Sequence, residues 1–148
     1  MRKVFLIVLL STLISSHVFA DEAFERLMNA KSLKCVYGPG AVAIWEDSKV
    51  KVEKDNFNNA SVVFDSIDIK TGKARMIGEI GAVDVIVLAT GTGLTFIEQT
   101  GVGNFHFTTV FANYVKGTTD FVVVTSRHLS IISTPIPSQY HGTCKIWE

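Results

Sequence analysis

Apolar and polar residues alternate along most of this chain. In "KVKVE", Val50 and Val52 face one side while Lys49, Lys51 and Glu53 face the other, the two-residue period of a half-buried strand. Further short runs share this character: "LKCVY", "AVAIWE", "SVVFDSIDI", "KARMIGEI", "VDVIVLAT", "LTFIEQT", "NFHFTTVFA", "DFVVVTSRHLSIIS" and "GTCKIW". Turn signals separate several of them: Asp47-Ser48, Lys70-Thr71-Gly72, Gly91-Thr92-Gly93, Gly101-Val102-Gly103 and Lys116-Gly117-Thr118-Thr119. "DNFNNA" reads as a loop. Pro135 and Pro137 are expected to end the strand before the last one, because proline offers no ladder donor.

Two stretches break the alternation. At the start, Met1-Arg2-Lys3 is basic, Val4 to Leu10 is an unbroken apolar run that Ser11 to Ile14 extend, and Val18-Phe19-Ala20 precedes Asp21-Glu22. This is the three-part pattern of a secretory signal peptide, expected over residues 1–20 with cleavage after Ala20. It is shorter than a membrane span and is interrupted by Ser11, Thr12, Ser15, Ser16 and His17. Next, "DEAFERLMNAKS" sets Phe24, Leu27 and Met28 on one helical face, with Asp21, Glu22 and Glu25 early and Lys31 late. About three turns are not stable alone, so this helix should pack across one end of the strands that come after it.

The short links imply antiparallel neighbours, since a parallel crossover needs a dozen or more residues. The pattern therefore predicts an all-β domain over residues 21–148: an antiparallel up-and-down barrel of about eight strands after a short helix. Closure removes the two bare edges that a meander would leave. The cysteines agree. Cys35 and Cys144 lie 109 positions apart, in the first and last strand candidates, and match neither a CxxC motif nor a zinc cluster. Export to an oxidising compartment, periplasmic or extracellular, favours a disulfide between them, and a closed meander would bring them within bridging distance.

This layout resembles the calycin or lipocalin-like group, with its signal peptide, leading helix, eight-stranded meander and terminal disulfide. The resemblance is one of architecture. The Gly-x-Trp signature is absent, the nearest trace being Gly40 with Trp45, and no site residue is carried over. The run from "GLTFIEQT" to "SRH" and "PSQYHGTCKIW" also resembles a group of small, uncharacterised exported bacterial proteins, which implies no activity.

Charge narrows the partners. Without Arg2 and Lys3, 12 basic residues face 14 acidic ones, a formal charge of −2. That balance argues against nucleic acid or an anionic membrane as a partner. "ATGTGLTF" lacks the Gly-Lys-Ser/Thr ending of a phosphate-binding loop and reads as a hairpin turn. His106, His128 and His141 sit on separate elements, a poor arrangement for a shared metal site, so no metal or cofactor is expected. Phe105, Phe107 and Phe111 share a face of one strand, and taking the aromatics as inward places His106 outside. Arg127 and His128 occupy opposite faces, so one of them should point inward near a barrel end, paired by a hydrogen bond or anchoring a ligand. By alternation Asp65 shares a face with Val63, Ile67 and Ile69; if inward, it would pair with Arg75 or Arg127.

The favoured function is a non-enzymatic exported barrel that binds a small apolar ligand or a protein partner. Phe64, Phe96, Phe105, Phe107, Phe111 and Phe121 are the candidate cavity lining; the same rings could instead fill the barrel. The alternative is a catalyst at a barrel end, using His106, His128 or His141 with Arg127. A third reading is an interaction protein working through its outer surface.

Overall fold

The computed structural model describes residues 22–131 and 134–148; the leader expected over residues 1–20 lies outside them. A helix, α1, spans 22–29. The strands are β1 (Leu33–Glu46), β2 (Lys49–Asn56), β3 (Ser61–Asp68), β4 (Lys73–Gly78), β5 (Gly81–Thr90), β6 (Gly93–Gln99), β7 (Phe105–Tyr114), β8 (Phe121–Ile131) and β9 (Thr134–Ile146). Eight of them close an antiparallel barrel: β3 to β9 pair in sequence, and β1 lies between β9 and β3. The expected all-β barrel with a leading helix is the observed fold.

β1 is long enough to serve twice. Its first part, Leu33 to Val36, pairs with β3 inside the ring. Its second part, Pro39 to Glu46, pairs with β2 and carries that hairpin up from the rim. Asp47 and Ser48 form its turn with φ of 48° and 64°, the left-handed pair a two-residue hairpin turn needs. Along its other edge β1 pairs with β9, from Leu33 opposite Ile146 to Val42 opposite Ser138. Cys35 stands directly opposite Cys144 in this pairing and is bonded to it, with Cα atoms 4.0 Å apart. Gly142 belongs to the same seam: a Cβ there would strike the carbonyl of Val36, so only glycine lets the two strands lie this close.

Two local expectations change. Pro135 and Pro137 do not end a strand but lie within β9, opposite Ser130 and His128 of β8. Pairing of β9 with β1 stops at Ser138, so this part of β9 has a free edge. Residues two apart turn their nitrogens to the same edge, and a free edge tolerates proline. In β3, Asp65 and Ile67 do not share a face. Ser66 adopts φ 52° at a bulge between Asp65 and Asp68, which sends Ile67 inward, 2% exposed, and leaves Asp65 outside. There Asp65 accepts two hydrogen bonds from Arg75, at 2.9 and 2.6 Å.

α1 closes one end. Ala23, Leu27 and Ala30 are buried in the same core as Leu33, Phe64, Phe96 and Phe121, with Phe24 and Met28 packed at its margin. Arg26 donates to the Tyr114 hydroxyl at 3.0 Å, tying the helix to the end of β7. Above the helix the barrel interior is occupied by buried apolar side chains. Phe64 and Phe96 stack with centroids 4.0 Å apart, and Leu94, Val87, Val110, Phe121 and Val123 fill the remaining space.

The bond between Cys35 and Cys144 closes a loop of about 100 residues, worth roughly 4–5 kcal/mol in the chain-entropy model. Replacing Cys144 by Ser should lower Tm by several degrees or more, measured by thermal denaturation against the unreduced parent. An unchanged Tm would mean that the backbone ladder of the seam holds the barrel without the bond.

Candidate functional site

The interior changes character from the helix end to the opposite end. On β6 the inward series runs Leu94, Phe96, Glu98; on β7, in reverse chain order, Ala112, Val110, Thr108, His106; on β8, Phe121, Val123, Thr125, Arg127. On β1 it ends at Tyr37 and on β9 it reaches Tyr140 and Ser138. Each series begins apolar and finishes polar. Where the polar residues converge, the packed core gives way to a cup of about 360 Å³.

The cup has two kinds of wall. Val62, Met76, Ile80, Ala82 and Val83 make an apolar side, and Gly78 and Gly81 leave room between them. Tyr37, Glu98, His106, Thr108, Thr125 and Arg127 make the polar side, with Phe57 from the β2–β3 loop. Phe57 stacks on Tyr140 with centroids 4.6 Å apart, and the Arg127 guanidinium lies 5.0 Å from its ring centre, a cation–π contact. Other depressions lie outside the barrel. One of about 570 Å³ runs between α1 and the β7–β8 loop, and one of about 520 Å³ lies beside the C-terminus.

Three polar atoms in the cup wall are buried without a hydrogen-bond partner: Tyr37 Oη, His106 Nε2 and Arg127 Nε. His106 is held from behind, its Nδ1 2.5 Å from Glu98 Oε2. A carboxylate only accepts, so the ring nitrogen facing it carries the hydrogen, and Nε2 is left buried without a partner. Tyr37 is 3% exposed, and burial pushes its phenol well above the ordinary range, opposed by the Thr108 hydroxyl beside it. Thr108 itself donates to Thr125 at 3.0 Å. At the rim, Tyr140 donates to Asp55 at 2.6 Å. That bond, helped by the Asn56 backbone N–H and the charge of Arg127, holds Asp55 below the usual carboxylate range. Burial, then the bond to Asp55, raises Tyr140.

The sequence-predicted residues do not all meet here. Of the pair Arg127 and His128, Arg127 points inward. His128 lies on the outer wall with its ring 5.2 Å from that of Phe107, and His141 is exposed. His106 and Arg127 are brought together, paired directly across β7 and β8. No group of three His, Cys, Asp or Glu side chains suited to a metal occurs among the described residues.

The phenylalanine lining is corrected. Phe105, Phe107 and Phe111 do share a face, but it is the outer one: Thr108, Val110 and Ala112, all buried, hold the inner positions of β7. Phe64, Phe96 and Phe121 are inside but fill the packed half, away from the cup. The cause is volume. A small barrel has an interior just wide enough for side chains to fill, and these three rings with the neighbouring aliphatics already occupy it. Three more would overpack it. Tyr37, Phe57, Glu98, Thr108, Thr125 and Tyr140 were not anticipated. Continuing the alternation Leu33-Cys35 to Tyr37 and Leu94-Phe96 to Glu98 would have found two of them.

Comparison of the chain with models of known families, with curated proteins and with solved structures returns no match. The functional reading therefore rests on this geometry.

Asp55, Asp65 and Asp68 all have lowered carboxyl groups, held chiefly by hydrogen bonds from Tyr140, Arg75 and Thr71 respectively. A carboxyl depressed in the folded state stabilises above its unfolded pKa, and that stability is lost as pH falls through the folded value. Tm should accordingly fall as pH drops below the ordinary carboxylate range. Asp55→Asn should lower Tm at neutral pH and flatten part of this acid dependence; an unchanged profile in thermal melts would contradict the rim bond.

Proposed function

We propose that the protein is an exported, non-enzymatic barrel that takes a small, largely apolar ligand into its open end. The observation that carries this reading is the cup: about 360 Å³, within the size of small-molecule sites, with an apolar wall on β3 to β5 and a few polar atoms opposite. Ile80 stands fully exposed at the β4–β5 turn, and Val83 just inside it is 44% exposed, so apolar surface continues from the rim inward. The calycin-like architecture supports the same use of a barrel interior. Export to the periplasm or the exterior is supported by the leader pattern, which lies outside the described residues, and by the disulfide. Among the described residues no helix is long and apolar enough to cross a membrane.

A second reading has one observation in its favour. The Glu98–His106 pair with Nε2 free beside Arg127 is a carboxylate-oriented imidazole, the arrangement of a general base. It narrows the alternative of a barrel-end catalyst to His106 with Arg127, since His128 and His141 face away. A protein partner would instead use the outer wall, where Ile86, Leu88 and Phe105 are exposed.

Nile red, a neutral environment-sensitive dye, should bind the folded protein with a blue shift and enhanced emission. Val62→Trp, which fills the cup from its apolar wall, should weaken that binding at least tenfold while leaving the fold intact by circular dichroism. Dye uptake unaffected by Val62→Trp would place the apolar site elsewhere.

A further inference from the structure

The cup contains more polar chemistry than an apolar ligand needs. Leaving buried donors and acceptors unmade is costly, and here three of them belong to residues that line the cup. Arg127 always carries its charge, and among the described residues no carboxylate forms an ion pair with it. The titratable and charged groups around His106 come from every strand facing it: Glu98 on β6, Arg127 on β8, Tyr37 on β1, and at the rim Tyr140 on β9 bonded to Asp55 on β2. Tyr37 is kept neutral by burial, so its hydroxyl is available as a donor.

With His106 neutral, the positive charge of Arg127 and the negative charge of Glu98 balance within the wall, while Asp55, whose carboxylate also feels Arg127, lies exposed to solvent at the rim. A carboxylate entering this wall would then bring an uncompensated negative charge into a poorly solvated space. His106 removes that mismatch. Its Nδ1–H already rests on Glu98, so a proton added at Nε2 makes an imidazolium whose other N–H stays bonded. That Nε2–H, the Arg127 Nε–H and the Tyr37 O–H are three donors for two carboxylate oxygens, which together accept about four hydrogen bonds.

We propose that the polar wall of the cup is a carboxylate site, and that a small organic acid with an apolar tail binds there together with one proton taken up by His106. The proton comes from solvent and goes to Nε2; no covalent bond is made or broken in the ligand. The tail lies against Val62, Met76 and Val83. This proposal rests on the ligand-binding reading and gives the ligand its chemical class. It also makes binding proton-linked: the bound state holds a proton that the free state lacks, so affinity falls as pH rises.

The test compares octanoate with 1-octanol, the same tail with a neutral head, by isothermal titration calorimetry on the full disulfide-bonded protein. Octanoate should bind roughly ten- to a hundredfold more tightly than octanol, as expected for one charge-assisted hydrogen bond or more. At neutral pH its heat should differ between phosphate and Tris by the amount that reports proton uptake, while the heat of octanol should not. Arg127→Met should abolish the preference for octanoate yet keep octanol binding, which shows at once that the variant is folded. His106→Gln should leave octanoate binding weaker and free of buffer-dependent heat. Equal affinity for the two probes, or octanoate binding without proton uptake in the parent protein, would overturn the proposal and leave the ligand-binding reading standing. Binding of neither would overturn both.

Discussion

The barrel depends on the seam between β1 and β9. Every other pairing in the ring joins strands that lie close together in the chain, as hairpins do, apart from the β1–β3 contact that the β2 hairpin separates. The seam joins the two ends of the fold, and ordering the chain between them carries the largest loop-closure cost. Cys35 and Cys144 fix its register at a single pair of opposed residues, and Gly142 lets the strands approach. Once register is fixed there, the alternation of side chains assigns an inside and an outside to both strands, because a slip of one residue would reverse them.

That assignment divides the interior. α1 seals one end with Ala23 and Leu27, joined by Ala30 just past it, and the rings of Phe64, Phe96 and Phe121 complete a dry half. At the other end β1 leaves the ring to pair with β2, and no helix among the described residues covers the opening. Polar residues at the ends of the inward series are tolerated there because several bond to one another, Glu98 with His106 and Thr108 with Thr125, around the cup. The same strands thus carry the core at one end and the chemistry at the other. Position along a strand, rather than membership of a motif, separates the two roles.

Much of this was legible in the chain. The strand count, the antiparallel order, the leading helix, the Asp47-Ser48 turn and the cysteine pair could all be read from periodicity, turn residues and spacing. The direction of β7 could not, because "NFHFTTVF" offers an aromatic face and a mixed face, and aromatics can lie flat on an outer wall as well as inside. The choice is made by the volume already filled by other strands, which no local window contains. The bulge at Ser66 was hidden for a similar reason: serine has no marked preference for the left-handed backbone it adopts there. Of the site, Arg127 and His106 were named, Arg127 as one of two candidates for the inner face and His106 for the outer one. Their meeting depends on the β7–β8 register, in which one stands opposite the other.

The orientation of β7 decides whether the cup has a polar wall, so the most direct measurement is the accessibility of its two faces. Single cysteines placed by Phe105→Cys and Val110→Cys would be labelled with a maleimide in the native, disulfide-bonded protein, with each denatured form as its reference. In the structure Phe105 is 38% exposed and Val110 is 0% exposed. Position 105 should therefore react readily and position 110 only after unfolding. Protection at 105 with ready labelling at 110 would turn β7 over, remove His106 from the interior and contradict the account.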